Sequence, residues 1–192
     1  MRSALPLLAI ATALAVGQPA RAEETAGWVD RVRNELDETW RFGTTEYYAT
    51  FHTTHLPWAY TEDQNKQYQN WPPGFGIGRG HYDAKGNWHG LYAMGFQDSH
   101  FKPEWVLGYG WKTYWTVPGD LKLGLGYTAG LTTRTDIGHY TPVPYLLPTV
   151  SVDYGKLSIE GAYVPGGNSN GNVMLFWLKW HTDSKSIFGW NP

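Results

Sequence analysis

Large apolar residues alternate with glycine or polar residues along much of the chain. The alternation is clearest in three stretches, residues 75–80, 105–115 and 121–131. A period of two predicts β-strands. A bulky row opposite a row of glycine and polar residues is typical of strands whose bulky face contacts lipid, whereas a soluble barrel points its bulky row inward. The pattern therefore predicts a membrane barrel.

We predict eight strands in a barrel domain that covers residues 44–182. They span residues 46–56, 74–83, 87–97, 104–116, 120–132, 144–154, 156–164 and 172–182. Tight turns at 83–87, 118–120 and 154–156 alternate with longer loops, as in membrane barrels of even strand number. The predicted fold class is all-β, an eight-stranded antiparallel transmembrane β-barrel preceded by an N-terminal amphipathic α-helix.

Before the first strand, the hydrophobic period changes to that of a helix. Trp28, Val32, Leu36 and Trp40 recur every four residues, and charged residues fill the other faces. Tryptophan at both ends of an apolar stripe suits a helix that lies in a bilayer interface. We therefore predict an amphipathic interfacial helix over residues 23–43. A helix packed on a soluble core is the alternative, because it has the same period.

The first 22 residues have the features of a secretory signal peptide. Arg2 supplies a positive charge, residues 5–16 are largely apolar, and Ala20-Arg21-Ala22 gives a small-x-small cleavage pattern. The apolar run is too short to span a bilayer as a helix. We predict a signal peptide at 1–22, with a retained anchor as the alternative. The C-terminal tail at 183–192 receives no predicted role.

The composition agrees with an exported membrane barrel. The 192 residues include 11 tryptophans, 13 tyrosines, 23 glycines and no cysteine, and the formal net charge is −2. Tryptophan and tyrosine form aromatic girdles at the two faces of a bilayer. The charge offers no basic field for nucleic acid, and the sequence has no zinc-type ligand spacing, Walker loop or G-x-S-x-G motif. We expect no metal and no cofactor.

Glycine is concentrated on the predicted inner row of the barrel. The positions are Gly76, Gly78, Gly80, Gly108, Gly110, Gly124 and Gly126. Eight strands enclose room for side chains or for one small ligand, so the missing side chains predict a slender apolar cavity that suits an alkyl chain. An equally good interpretation is that these glycines relieve curvature or pack on aromatic rings.

Topology brings residue types suited to acyl transfer to one rim of the barrel. The first strand ends near His55, and the third ends at Asp98 and Ser99, on the same outer rim. Acyl transfer needs a hydroxyl, a base that activates it and a carboxylate that orients the base. Polar residues are common at rims, so a plain loop serine is the alternative for Ser99. The histidines that compete equally with His55 are His52, His100 and His139, and we interpret His89 as structural.

Five sequence blocks carry a family resemblance. They are Gly86-Asn87-Trp88-His89-Gly90-Leu91-Tyr92-Ala93-Met94 followed by Asp98-Ser99, Gly108-Tyr109-Gly110-Trp111, Leu123-Gly124-Leu125-Gly126, Pro142-Val143-Pro144-Tyr145-Leu146-Leu147-Pro148, and Asn170-Gly171-Asn172-Val173. These blocks resemble the PagP family of outer-membrane lipid A palmitoyltransferases. The likeness extends over essentially all of the chain after the predicted signal peptide.

The resemblance implies an enzyme that transfers palmitate from the sn-1 position of a glycerophospholipid to lipid A. It places the family's essential residues on His55, Asp98 and Ser99, and a glycine near the floor of the acyl-chain pocket on Gly110. Two mechanisms fit: an acyl-serine intermediate, or direct deprotonation of the acceptor hydroxyl by His55 while Asp98 and Ser99 position the ester.

Lateral access of lipid between strands is also implied, at points where prolines interrupt the ladder because they have no N–H. Pro148 and Pro165 match one gate, and Pro72 matches half of another. Thr50 stands where the family pattern has a second proline, and Gln64 stands where a basic residue is expected. These two departures put the second gate and a head-group contact in doubt.

The resemblance further implies a Gram-negative outer-membrane location, a phospholipid donor, a lipid A acceptor and no nucleic acid, and we expect a monomer. Three alternatives are kept. A phospholipase or lipid A deacylase would use the same rim residues with water as the acceptor. A non-catalytic structural barrel would need none of these rim residues. A soluble exported lipid carrier would not be inserted in a membrane.

Overall fold

The structure is a computed structural model that describes residues 19–119, 121–136, 138–167 and 171–182, with side chains from residue 27 onward. The elements are α1 (Pro19–Phe42), β1 (Thr44–His55), α2 (Glu62–Asn65), β2 (Gly74–Tyr82), β3 (Trp88–Gln97), β4 (Pro103–Val117), β5 (Leu121–Thr133), β6 (Val143–Tyr154), β7 (Leu157–Val164) and β8 (Val173–His181), with a 3-10 turn at Gly138–Tyr140. All eight predicted strands are confirmed, and each end lies within two residues of its prediction. The short helix α2 was not predicted.

The strands close into an antiparallel barrel in which each strand pairs with its sequence neighbours and β1 pairs with β8. The short connections follow β2, β4 and β6 at one end, here called the turn end. The longer ones follow β1, β3, β5 and β7 at the other, here called the loop end. Every strand therefore has a hydrogen-bonded neighbour on both sides, as a barrel in a bilayer requires.

The two faces of the barrel wall have opposite polarity. Trp105, Leu107 and Leu125 point outward and stay largely exposed. Inward positions of the same strands carry polar residues such as Glu104 and Thr128, which are buried. An apolar outer face and a partly polar interior are the pattern of a membrane barrel, so the transmembrane prediction is confirmed.

The helix α1 carries an exposed apolar stripe that includes Trp28, Val32 and Trp40. It begins at Pro19, four residues before the predicted mature start at Glu23. The boundary between two compact units of the chain falls inside this helix, after Glu35. Residues 1–18 of the predicted signal peptide and the tail at 183–192 lie outside the described residues.

No helix among the described residues combines the length and the apolar character that crossing a membrane requires.

The barrel interior changes character from one end to the other. Near the turn end lie buried charged residues, among them Glu46, Lys112, Glu160 and Lys179. The middle is an apolar cluster of Tyr48, Tyr92, Met94, Phe96, Ala162 and Trp177. Near the loop end, buried polar groups return, among them His55, Asp98 and Glu104. The apolar middle therefore lies between two polar layers.

Aromatic rings occupy the space beside several inner glycines. A Cβ atom at Gly108 would lie 2.7 Å from Cζ of Tyr92, one at Gly110 would lie 2.7 Å from Cζ3 of Trp88, and one at Gly78 would lie 3.0 Å from Cε2 of Tyr48. Contacts this close leave no room for a side chain without a shift of the ring. At these positions the structure favours the alternative interpretation, in which glycine packs on aromatic rings.

Candidate active site

A β-bulge in β1 turns His55 into the barrel. Up to Thr50 the even-numbered residues of β1 face inward, but the register against β8 shifts between Thr50 and His52. Beyond the shift, Thr53 and His55 are the buried residues. An extra residue in a strand reverses the facing of all that follow, because side chains alternate with a period of two. Unbroken alternation would have pointed His55 toward lipid.

Two tyrosines of the β1–β2 loop hold the His55 ring. Tyr68 stacks on it with centroids 4.2 Å apart and planes 17° from parallel, and Tyr60 meets it edge-on at 4.9 Å. His55 is only 5% exposed, and its Nδ1 atom has no hydrogen-bond partner among the described residues. The imidazole is thus fixed by stacking, and its Nδ1 atom is enclosed.

Asp98 and Ser99 begin the loop after β3. The Asp98 carboxylate accepts hydrogen bonds from the backbone N–H groups of His100 and Lys102, both at 2.8 Å, and is buried. Ser99 is half-buried, and its carbonyl accepts from the Gln69 N–H at 3.0 Å. Asp98 therefore shapes the loop that carries Ser99. No hydrogen bond joins either residue to His55 within the described part of the chain.

The segment just before β2 connects the two predicted parts of the site. Asn70 accepts a hydrogen bond from the Thr53 N–H of β1, while Gln69 binds Ser99. Tyr68 lies between two histidines, since it also meets the His100 ring edge-on at 5.3 Å. The structure therefore places His55, Asp98 and Ser99 at the same loop-end rim, bridged by residues 68–70.

An ion-pair cluster next to this rim was missed by the sequence analysis. Arg134 donates from Nε and Nη2 to the two carboxylate oxygens of Asp136, each at 2.9 Å, and from Nη1 to Glu104 at 3.3 Å. Thr132 donates to the other oxygen of Glu104 at 2.8 Å. The hydrogen bonds from Arg134 lower the pKa of Asp136. Glu104 lies at an inward position in the alternation of β4, and this charged residue on the inner row is the signal from which the cluster could have been predicted.

The competing histidines occupy different surroundings. His52 points outward, 4.9 Å from the Trp71 ring and 6.1 Å from the Phe176 ring. His139 is exposed in the 3-10 turn at a positive φ of 50°, and His100 is also exposed. His89 binds the Tyr109 hydroxyl at 2.7 Å and lies 3.5 Å from Asp83 at the turn end. Of these residues, His55 alone is buried at the rim.

The wall of the barrel is incomplete between β6 and β7. The β6–β7 ladder covers Thr149–Tyr154 of β6, and residues 143–148 pair with β5 but have no partner on β7 among the described residues. Pro148 lies at the end of this unpaired stretch, and Pro165 directly follows β7. A gap in backbone pairing therefore lies between these two prolines, toward the loop end.

The corresponding region between β1 and β2 remains bonded. The ladder ends at Thr50 and Gly74, yet the Thr50 hydroxyl donates to the Pro72 carbonyl at 2.7 Å. Farther along, the Thr53 N–H binds the Asn70 carbonyl at 2.9 Å. Thr50, which stands where a proline is expected, thus bonds to the segment before β2 that contains Pro72.

Among the described residues, no group of three or more His, Asp or Glu side chains is arranged to hold a metal ion.

Comparison with known proteins gives a consistent result. The sequence profile of the family described as antimicrobial peptide resistance and lipid A acylation protein PagP matches residues 35–179. Similar proteins, each named lipid A acyltransferase PagP, include one from Laribacter hongkongensis, 44% identical over 154 residues that cover 80% of this chain and 74% of the relative. One from Pantoea ananatis is 41% identical over 179 residues (91% and 93%), and one from Salmonella typhi is 40% identical over 166 residues (84% and 86%). The chain belongs to the PagP family of lipid A acylation proteins.

Proposed function

We propose that this chain transfers a palmitoyl group from the sn-1 position of a phospholipid to lipid A in the outer membrane. Lipid A acylation as such follows from membership of the family. The observation that carries the finer proposal is the buried histidine at the rim, directly above an apolar barrel interior. A base next to an apolar channel suits an ester whose acyl chain must be held out of water.

His55 acts as the general base. It takes the proton from a lipid A hydroxyl as that oxygen attacks the carbonyl carbon of the sn-1 ester. The new ester C–O bond forms, the bond to the glycerol oxygen breaks, and the proton passes from His55 to that oxygen, which releases a lysophospholipid.

Ser99 and Asp98 position the ester in this scheme. The backbone bonds to the Asp98 carboxylate fix the loop, and the loop presents the Ser99 hydroxyl at the rim. The direct route is favoured over an acyl-serine because no hydrogen bond joins Ser99 to His55 among the described residues, and a serine nucleophile needs an adjacent base.

The acyl chain enters the apolar interior from the rim, and Gly110, with the Trp88 ring packed against it, lies at the floor. Gly110 pairs with Gly90, and Gln97 at the rim lies seven residue steps beyond Gly90 along β3. At about 2.5 Å of axial rise per residue of a tilted strand, this depth is about 18 Å. An extended alkyl chain advances about 1.25 Å per carbon, since C–C bonds are about 1.5 Å long, so the depth suits a chain close to palmitoyl in length.

Lipid reaches this interior sideways, through the wall between β6 and β7. The unpaired stretch next to Pro148 and Pro165 supports access there, because strands without ladder hydrogen bonds separate at little cost. The bonded Thr50–Pro72 pair supports a narrower opening on the β1–β2 side. Export by a signal peptide cleaved after Ala22, an interfacial position of α1 and a monomeric state complete the proposal.

The test follows labelled acyl chains. Refolded protein in detergent micelles receives lipid A and phosphatidylcholine labelled in its sn-1 chain, and the products are separated by thin-layer chromatography. His55→Ala and Ser99→Ala are compared with His52→Ala, a matched control whose ring points away from the interior. We expect transfer of label to lipid A by the native protein and by His52→Ala, and a loss of about 100-fold or more in His55→Ala.

Other outcomes would reject the proposal in identifiable ways. Label that appears as free fatty acid alone indicates a phospholipase or lipid A deacylase. Equal activity in His55→Ala and His52→Ala removes the rim histidine from the mechanism. If a barrel shown to be folded moves no label, the protein has a structural role instead of a catalytic one.

A further inference from the structure

A groove runs along the outer face of β3, on the side of the barrel wall that contacts lipid. Ala93 and Gly95 are outward residues of β3, and an open cavity of about 510 Å³ lies over them. The bulky side chains that border this cavity come from the neighbouring strands, and they are Phe75, Ile77, Trp105, Leu107 and Leu131. The groove therefore exists because β3 carries small outward residues where its neighbours carry large ones.

The width and the lining of the groove suit a single hydrocarbon chain. Neighbouring strands lie about 4.8 Å apart, so β2 and β4 are about 10 Å apart across β3. Side chains that rise from both strands occupy part of this distance and leave room for about one chain. Thr133 is the single polar residue among the described residues that line the groove.

The Trp105 ring shapes the end of the groove that is nearer the loop end. A Cβ atom at Gly95 would approach Cζ3 of Trp105 to 2.5 Å and Cε3 to 2.7 Å. Glycine at this position therefore lets the indole lean over β3. Tryptophan in membrane barrels collects where the hydrocarbon region meets the head groups. The groove thus descends from a bilayer interface into the hydrocarbon region.

The same strand carries the groove to the candidate active site. Gln97 is the next outward residue of β3 after Gly95, and it directly precedes Asp98 and Ser99. The Gln97 side-chain carbonyl accepts a hydrogen bond from Nε2 of Gln69 at 3.0 Å. Amide side chains above an apolar groove supply hydrogen-bonding groups for a polar head group. A lipid whose chain lies in the groove therefore has its head group beside Ser99.

The acceptor fits this position better than the donor does. Eight strands enclose room for about one alkyl chain, and in the proposed function the donor fills it. Lipid A bears several acyl chains on one head group, so its chains must stay in the bilayer while its hydroxyl reaches the rim. In the strand order the groove on β3 lies across the barrel from the β6–β7 gap, and the β1–β2 side is bonded through Thr50 and Pro72.

We propose that the groove over Ala93 and Gly95 binds an acyl chain of lipid A and so holds the acceptor head group at the rim. It rests on the proposed function in that the donor chain is assigned to the interior. The two substrates then approach from different sides of the barrel and meet above the interior, so neither blocks the entrance of the other.

Binding is tested without turnover. The chain has no cysteine, so Ala93→Cys gives a unique thiol that accepts a small trifluoroethyl label. The matched control is Ala129→Cys, at an outward alanine of β5 that does not line the groove. Lipid A and phosphatidylcholine are each titrated into micelles of the labelled barrels, and the fluorine NMR shift is followed. We expect lipid A to move the signal at position 93 to saturation, with phosphatidylcholine moving it far less and the signal at 129 unchanged.

The kinetic test fills the groove and separates the two substrates. Ala93→Phe places a ring where the chain would lie, and Ala129→Phe is the same change outside the groove. Ala93→Phe should raise the KM for lipid A about threefold or more, because the chain loses packing contacts that lipid does not replace fully. The KM for the phospholipid donor should stay within about twofold of native, as should both values in Ala129→Phe. If Ala93→Phe does not fold, Ala93→Leu takes its place.

Each result decides between the two proposals. Equal fluorine shifts at position 93 with lipid A and phosphatidylcholine mean that any bilayer lipid covers the groove, and this overturns the acceptor site. A native KM for lipid A in the filled variant overturns it as well, while transfer by that variant leaves the proposed function standing. Absence of transfer by the native protein refutes the proposed function, whereas the titration still reports whether lipid A occupies the groove.

Discussion

Deleting one residue from β1 after Thr50 should preserve catalysis, whereas deleting two residues should greatly reduce it. Thr50 pairs with Trp177 of β8, and the next matched pair is His52 with Phe176, so Phe51 is the extra residue of the bulge. Deleting Phe51 leaves a regular strand in the same register, with His55 still facing inward. Deleting Phe51 and His52 together pairs His55 with Met174 instead, and the ring then faces lipid.

The expected magnitude follows from the role of a general base, which contributes about 100-fold to 10,000-fold to rate. Loss of the inward ring therefore raises the barrier by about 3–5 kcal/mol. The single deletion should retain activity within about tenfold, because the main change is in local twist. Both variants are compared by transfer of labelled palmitate to lipid A.

Folding must be verified before the rates are compared, by the resistance of the closed barrel to unfolding in detergent. If the double deletion folds and keeps more than a tenth of the native activity, inward orientation of His55 is not required. The facing that the bulge gives to His55 would then have no part in catalysis.

Three further predictions concern stability, measured by unfolding in guanidinium chloride. Thr50→Val removes the hydroxyl that binds the Pro72 carbonyl and should cost about 1 kcal/mol, whereas Thr50→Ser should cost less. Asn172→Ala should cost about 2–3 kcal/mol, because Asn172 adopts a left-handed φ of 52° and its buried amide binds Tyr163 and two carbonyls; equal midpoints would contradict this. Burial raises the pKa of Asp83, but hydrogen bonds from Asn87 and neighbouring backbone outweigh it and bring the pKa from 3.8 to about 2. Its stabilising contribution is therefore complete above about pH 4 and lost as the pH falls toward 2, so the gap between native protein and Asp83→Ala should close over that range and stay constant above it.

The fold was predictable from local patterns. Because one face of each strand contacts lipid and the other faces the interior, side-chain polarity alternates with a period of two along every strand. This alternation can be detected in each strand without knowledge of its partners. The tight turns were also predictable from the sequence, because Gly86 and Gly119 adopt a positive φ there, a conformation that favours glycine. Strand number, order and facing of the wall therefore followed from the sequence.

The sequence predicted which rim carries the candidate site residues, but it did not predict how their side chains are oriented there. Alternation along β1 would have sent His55 outward, and the bulge that corrects this depends on pairing with β8, which lies more than a hundred residues away in the chain. The ring held by Tyr68 likewise depends on how the β1–β2 loop folds back. Neither contact has a local signature.

The sequence by itself determined that the chain is an eight-stranded membrane barrel with candidate acyl-transfer residues at one rim, because solvent polarity acts on each strand independently. The tertiary structure alone decided which histidine is buried, that Asp98 holds its own loop, and that Trp88 lies over Gly110. Those features arise from contacts between strands distant in sequence, where closure of the barrel sets the distances.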